Sequence, residues 1–404
     1  MQIASSVVAA SGLKTSLNQI AEAAGILPSS MYHHFDSKEA IFVELMRKFH
    51  SELDLVGTLA LERMREHGDT SPEESIRRLC IDIARCADDN RAALQMSFYE
   101  IPSAHKELSA LTHRPPTKIY DAMLEALRAA RLTKSVRADV EIPILADRLC
   151  QSMLHVGLDV IRHKAPPDQT AITLYQLVMR GLAAKPPTDA ALDKSAALAA
   201  AERAISTWVG DDHVDVDDER MTHIFRVARR EFGRKGYELT TTRDIASAAG
   251  LTAATFNRLI KSKEQLLGAV MHGFDQKVSA GWNAVLKSDS TAVEKLDALT
   301  WVNINVLDKF SDEFRIQLAW MRQSPPSAPT PGKSFATRIR QVKTVLVEGD
   351  HAGELRVDTR SVESLARCVV DIMWIPDTIL DSVGQRSALL IARDFLLRGS
   401  AVRG

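Results

Sequence analysis

The sequence predicts an all-α chain that carries one design twice, and three observations predict it. Apolar residues recur at threes and fours along most of the length, without sustained β-branched alternation. Residues 17–45 and 242–270 repeat each other at a constant offset of 225: Ile20 answers Ile245, Gly25 answers Gly250, Phe35 answers Ile260 and Lys38 answers Lys263. Weaker echoes follow in the same order through each half. Arg91, Leu94 and Pro102 answer Arg315, Leu318 and Pro326; residues 136–139 answer 355–358; residues 176–182 answer 395–400. A shared order of echoes points to duplication of a whole domain.

The repeated unit has the logic of a helix-turn-helix. In the first copy Ser16 and Gln19 have the spacing of a capping box that opens a helix. Ile20 and Ala24 fall on one face, and small residues at 21, 23 and 24 admit a second helix closely. Gly25 supplies the left-handed residue that ends this helix. Pro28 suits the first turn of the next, where a missing N–H costs nothing. Met31 and Phe35 face inward, and Ser29, Ser30, Tyr32, His33 and His34 face outward. Ser37 caps a third helix with Lys38 and Glu39 in its first turn. The second copy repeats the scheme. Thr241 and Thr242 open it, Gly250 makes the turn and Thr252 caps; Phe256 and Ile260 face inward, and Ser262 with Gln265 predicts another box.

The residues Ile20-Ala21, Ala24-Gly25, Tyr32-His33-His34-Phe35 and Ser37-Lys38-Glu39-Ala40 resemble the DNA-binding domain of the TetR/AcrR family of transcriptional regulators. So do Ile245-Ala246, Ala249-Gly250, Thr255-Phe256 and Ser262-Lys263-Glu264. The resemblance spans about fifty residues per half. It implies a double-length member, with a three-helix head and a helical regulatory domain in each half. It further implies an intramolecular pseudo-dimer, in which segments near 146–162 and 169–183 pack on those near 362–377 and 385–398. The expected domains are a head over 1–48, a regulatory domain over 49–185, a linker over 186–215, a head over 216–272 and a regulatory domain over 273–404. Lys185-Pro186-Pro187-Thr188-Asp189 breaks the helix before the linker. Ala-rich 190–209 reads as a helical strut of about 27 Å, and acidic residues at 211, 212, 215 and 217–219 lead into the second head.

With 51 basic against 52 acidic residues the net charge is −1, so attraction to DNA must come from local patches. Residues 220–267 hold ten Lys/Arg against four acids; residues 1–50 hold four against four. The second head should therefore gain more from counterion release. The first helix of copy one, beginning at Met1, is short and lacks the basic arm of Arg226, Arg229 and Arg230, so either head one binds weakly or the true start lies upstream.

At a recognition helix, side chains near the N-terminal end meet base edges and phosphates. The candidates in copy one are Ser29, Ser30 and His33 for the groove, with Thr15 and Ser16 for phosphate. Lys38 would hold an anion at a helix start. By resemblance, Tyr32 reaches phosphate through its hydroxyl. In copy two these places fall to Thr241, Thr252, Thr255, Arg258 and Lys263. Asn257 stands where the family has tyrosine, and can instead read adenine bidentately. Leu27 stands where the family has a capping Ser or Thr.

The resemblance also implies a small effector, apolar or acyl-type, inside the regulatory helices. Met96, Tyr99 and Met153 in the first half and Trp301, Trp320 and Trp374 in the second are the pocket candidates, beside Phe98, His155, Met321 and Met373. Enzymatic signatures such as HExxH, a Walker or GxGxxG loop, GxSxG or CxxC are absent, so neither catalysis nor a cofactor or metal is expected. Cys80, Cys86, Cys150 and Cys368 read as reduced thiols of a cytoplasmic protein, a redox role for the first pair being the sharper alternative. No apolar run reaches the roughly 18 residues of a membrane span. The expected function is a repressor reading a non-palindromic operator with two different heads. The alternative is DNA binding through the second head alone, the first half serving as an interaction or sensing module.

Overall fold

The computed structural model describes residues 2–11, 15–66, 71–97, 106–163, 166–208, 219–237, 239–322, 331–357 and 361–403. Every element of two or more described residues is helical, and there are two isolated antiparallel bridges, Val136 with Ala401 and Ala183 with Leu355. The chain forms two compact units, one built from residues 1–181, 322–325 and 399–404, the other from 182–321 and 326–398. No helix among the described residues is long and apolar enough to cross a membrane.

The first unit opens with α1 (Gln2–Ser11), α2 (Leu17–Ala23) and α3 (Pro28–His34). Ser16 and Gln19 form the reciprocal capping box, Gly25 takes φ +67°, and Pro28 begins α3. Ile20, Ala21 and Met31 are buried, which fixes the angle between the two helices. α4 (Lys38–Glu66) carries the chain into the larger bundle of α5 (Pro72–Asp89), α6 (Arg91–Met96), α7 (Lys106–Thr112), α8 (Thr117–Leu132), α9 (Ile142–His163) and α10 (Pro167–Arg180). α5 packs on α9 and α10, and α4 on α8. At the α4–α8 crossing only glycine fits: a Cβ on Gly57 would lie 2.5 Å from the Lys118 carbonyl carbon.

The second unit begins with α11 (Asp189–Leu192) and α12 (Ala196–Ser206). The single strut expected over 190–209 is thus two helices, because Ser195 caps a new one by accepting from the Leu198 N–H. Nor is this a detached linker. α12 buries Ala197, Leu198, Ala201 and Ile205 against α16 (Lys263–Leu286) and α17 (Ala292–Lys309). Alanine lets these helices approach closely, and propensity alone does not reveal that a face is buried. The second head is α13 (Glu219–Lys235), α14 (Thr242–Ala248) and α15 (Ala253–Leu259); α18 (Ser311–Arg322), α19 (Pro331–His351), α20 (Val362–Ile372) and α21 (Asp377–Arg393) complete the unit. α21 is broken at Gly384, which takes φ +76°. Of the acidic lead-in, residues 211–218 lie outside the described residues.

The echoes near 136 and 355 are docking sites for chain tails. In the first unit Arg137 N–H donates to Ser400 C=O (2.9 Å) and Val402 N–H to Ser135 C=O (2.9 Å). In the second, Arg356 N–H donates to Leu182 C=O (2.8 Å) and Ala184 N–H to Glu354 C=O (2.8 Å). The backbone bonds match one for one. Residues 399–404, which follow the last helix of the second repeat, are built into the first unit. Residues 182–184, which follow α10, are built into the second.

All four cysteines are buried. Burial raises the Cys80 thiol and pushes Cys86 up to about 12, so neither is a thiolate poised for redox chemistry.

Candidate nucleic-acid interface

Each head presents its second helix after a glycine turn, and the two are built alike. Ser16 and Thr241 are the N-caps of α2 and α14, each in a full capping box, the latter with Asp244. The Thr241 backbone N–H donates to the Asp244 carboxylate (2.8 Å), which holds that carboxyl below its ordinary range. Gly25 and Gly250 both take φ +67° with open space around them. Phe256 is buried and Ile260 nearly so, matching Met31 and half-buried Phe35. Ser37 accepts from Ala40 N–H (3.2 Å), and Ser262 from Gln265 N–H (3.1 Å). This second contact is a single cap in place of the reciprocal box expected there.

On α3, Ser29, Ser30, Tyr32 and His33 are all exposed. Leu27 at the N-cap gives no side-chain bond and is 71% exposed, so head one begins its recognition helix with an apolar side chain. On α15, Asn257 and Arg258 are exposed, as is the capping residue Thr252. Thr255 is half-buried, its hydroxyl 2.9 Å from that of Thr252. Ser16 and Thr241 are exposed, but their hydroxyls serve the caps.

One assignment needs correction. Thr15 is fully buried and does not face phosphate. Its counterpart Thr240 shows why: the hydroxyl donates to the Glu231 (3.1 Å) and Gly236 (2.8 Å) carbonyls and anchors the turn to α13. Lys263 is engaged within the turn. Its ammonium donates to the Tyr237 (2.8 Å) and Thr240 (3.1 Å) carbonyls and lies 4.2 Å from the centre of the Tyr237 ring. A lysine so held organises the turn. Tyr237 in turn donates to Glu264 (3.1 Å), part of what lowers that carboxyl after the first-turn backbone bond. Lys38 lies 5.9 Å from the Phe42 ring centre.

The cationic surplus of head two is also smaller than a count suggests. Lys235 and Arg234 pair with Glu231 (2.7 and 3.3 Å), and Arg229 pairs with Glu313 (3.1 Å). Arg230, Arg243, Arg258 and Lys261 remain exposed. Glu313 belongs to α18 and is nearly buried; burial raises its carboxyl, against the pull of Arg229. The first helix of head two and α18 are therefore joined through this ion pair. No feature of the sequence around Arg229 marks this partner.

These facts yield a contrast. Lys263→Ala should lower the stability of the head by about 1–2 kcal/mol, because two turn carbonyls lose a charged donor. Lys261→Ala should leave stability unchanged and reduce the salt slope of DNA binding by about one. Equal melting curves for the two variants would refute the assignment of Lys263 to the turn.

Of the effector candidates, Met96 and Met153 are fully buried, and Trp301 and Trp374 are half-buried. Trp374 stacks on Phe314 with centroids 4.2 Å apart. His155 is half-buried and Met373 fully buried. Phe98 and Tyr99, and the side chains of Trp320 and Met321, lie outside the described residues.

Comparison with known proteins bears on both heads. The family described as bacterial regulatory proteins, tetR family, matches at residues 4–45 and again at 224–270. The HTH-type transcriptional repressor KstR2 of Mycolicibacterium smegmatis is 48% identical over 182 residues, covering 44% of this chain and 87% of that protein. The repressor of the same name from Mycobacterium tuberculosis is 41% identical over 163 residues, covering 39% of this chain and 80% of that one. Among solved structures, the ketosteroid transcriptional regulator KstR2 of Mycobacterium tuberculosis is 21% identical, covers 47% of this chain and 97% of its own, and has a TM-score of 0.37.

Proposed function

The chain belongs to the tetR family of bacterial regulatory proteins and is a DNA-binding transcriptional regulator, not an enzyme, and from that premise we propose that it is a repressor reading a non-palindromic operator with two unlike heads. The observation that carries this reading is the pair of recognition helices. Their turns and inward residues agree, while their outward residues differ: Ser29, Ser30, Tyr32 and His33 against Ala254, Thr255, Asn257 and Arg258. A homodimer offers identical heads and prefers a palindrome; one duplicated chain offers two different ones.

In this reading the heads occupy 1–48 and 216–272 and the regulatory domains 49–185 and 273–404. The helices α11 and α12 lie within the linker over 186–215. The two regulatory domains pair within one chain as subunits of a dimer would, and the protein acts in the cytoplasm. A small apolar or acyl-type effector lowers DNA affinity through the regulatory helices. The Arg229–Glu313 pair supports this coupling, since it ties the first helix of head two to α18.

Selection from a randomised DNA library tests the reading. The expected product is an asymmetric site whose halves are spaced by the helical repeat of DNA. Arg258→Ala should relax one position in one half-site, at roughly 1–3 kcal/mol. Recovery of one short perfect palindrome bound by a single chain would show that the heads do not read differently. Gel shifts with each head altered separately decide the alternative. If changes at Tyr32 and His33 leave affinity untouched while Arg258→Ala abolishes specificity, DNA is read by the second head alone.

A further inference from the structure

The two repeats build the same core crossing from different chemistry. Fixed landmarks set the register: the caps Ser37 and Ser262, the caps Ser71 and Thr291, and the left-handed residues Lys134 and Gly353. Counted from these, Gly57, Ile83 and Ile119 of the first repeat correspond to Trp282, Asn303 and Arg338 of the second. In the first unit the site is apolar and closed, with Ile83 and Ile119 fully buried and Gly57 against the backbone of α8. The fold therefore does not need polar groups here.

In the second unit the same site is polar and equally buried. Trp282 and Asn303 are 0% exposed and Arg338 is 2% exposed. The indole joins the other two: its N–H donates to Asn303 Oδ1 (3.2 Å), and its ring centre lies 5.8 Å from the Arg338 guanidinium. Accepting from Trp282 leaves the Asn303 amide to act as a donor, yet Asn303 Nδ2 has no hydrogen-bond partner among the described residues. Arg338 Nη2 has none either. The acceptor Arg338 does find is Gln317 Oε1 on α18, at a long 3.4 Å. Burial pulls the guanidinium down to about 10, partly opposed by Asp275, so it stays charged at neutral pH. Leaving a buried cation and a buried amide short of acceptors is costly, and the first repeat shows that an apolar alternative was available.

We propose that Trp282, Asn303 and Arg338 form a binding site for the carboxylate of a small apolar acid, present in the second half only. The proposal rests on the effector reading above and deepens it. Asn303 Nδ2 and Arg338 Nη2 are both donors, so a ligand seated on these two groups must bring acceptors. A planar carboxylate suits a guanidinium and an amide together. One buried cation, partly offset by Asp275, balances a monoanion better than a phosphate dianion. A charged acceptor on Arg338 also displaces the weak one from Gln317. That residue shares α18 with Glu313, the partner of Arg229 in the head.

The test uses the full chain and straight-chain carboxylates from acetate to decanoate, each beside its primary alcohol and amide. Thermal shift and calorimetry should show at least one carboxylate binding while its alcohol does not. Arg338→Met keeps an unbranched side chain without the guanidinium and should weaken that binding by about tenfold or more. Asn303→Asp keeps the acceptor for Trp282 but puts a carboxylate in place of the orphan amide donor. It should raise the melting temperature and abolish the response to added acid. The site is refuted if no carboxylate outperforms its alcohol, or if both variants bind as the parent does. Titrating DNA affinity with the same acid separates the two readings. Binding without loss of DNA affinity leaves the site standing and removes the effector role. Intact DNA binding without carboxylate selectivity removes the site alone.

Discussion

Arg393→Met is expected to destabilise the second unit by about 3–5 kcal/mol, the cost of stranding a buried carboxylate. Arg393 is fully buried and reaches three aspartates: Asp297 in a fork (2.8 and 2.9 Å), Asp189 (2.9 Å) and Asp193 (2.8 Å). It thereby fastens α11 and the turn after it to α17 and α21. Asp297 is 1% exposed on its side chain and has the most to lose. The double variant Arg393→Met/Asp297→Leu should recover most of the loss, since it removes both charges and keeps apolar volume.

The effect should depend on pH with a definite sign. Burial raises the Asp297 carboxyl even with Arg393 beside it, and losing that cation raises it further. A carboxyl raised in the folded state holds its proton there. Its penalty is therefore absent below the unfolded value of about 3.9 and grows as pH rises through the folded one. The deficit of Arg393→Met should be greatest near neutrality and shrink toward acid. The exposed partners act in the opposite sense. Hydrogen bonds from Arg386 and Arg393 hold Asp193 low, and those from Arg398 and Arg393 outweigh the burial of Asp189. In the parent, their contribution is present above the unfolded carboxylate range and lost as pH falls through the folded values. Urea titrations of parent and variant across this range provide the check. A deficit below about 1 kcal/mol at neutral pH would place Arg393 among ordinary surface pairs.

Local code is legible in the sequence. Caps at Ser16, Thr241 and Thr252, left-handed glycines at 25 and 250 and inward residues such as Met31 and Phe256 are each decided within a few residues. The heads could therefore be read from the chain. What stayed hidden was decided at a distance. Thr15 and Lys263 are polar residues at plausible positions, and only the folded turn shows that one is buried and the other bonded to carbonyls. The Ala-rich segment declares helix but not which face is covered. Trp282, Asn303 and Arg338 lie on three helices far apart in sequence. Each alone reads as an ordinary core or surface residue, and the signal that singles them out is the apolar identity of their counterparts. The tail docking sites were visible only as the echo of Arg137 in Arg356, without a role.

Those tails carry the second large effect. Gly399→Ala should cost roughly 4 kcal/mol, several times the cost of Gly25→Ala, although both glycines have positive φ (+81° and +67°). Conformational strain alone does not separate them: both would pay for a left-handed residue, and Lys134 at φ +60° shows the chain tolerating one. Space separates them. A Cβ on Gly25 meets nothing within 4 Å, whereas one on Gly399 would lie 2.3 Å from the Arg180 carbonyl carbon and 2.6 Å from the Met179 oxygen. Those are backbone atoms at the end of α10, held by helical bonds, so the tail must move instead. Moving it strains the bonds that seat it: Ser400 N–H to Val178 C=O (3.0 Å), Ala401 N–H to Met179 C=O (2.8 Å) and the two to residues 135–137. Each is worth about 1 kcal/mol when shielded from water. Hydrogen exchange should therefore quicken at the Arg137, Ala401 and Val402 amides in Gly399→Ala and remain unchanged there in Gly25→Ala. If the two variants unfold at the same urea concentration, the tail does not help hold the first unit. The matching bonds at residues 182–184 would then need a separate account, since the same geometry would have failed to stabilise in one unit what it is taken to stabilise in the other.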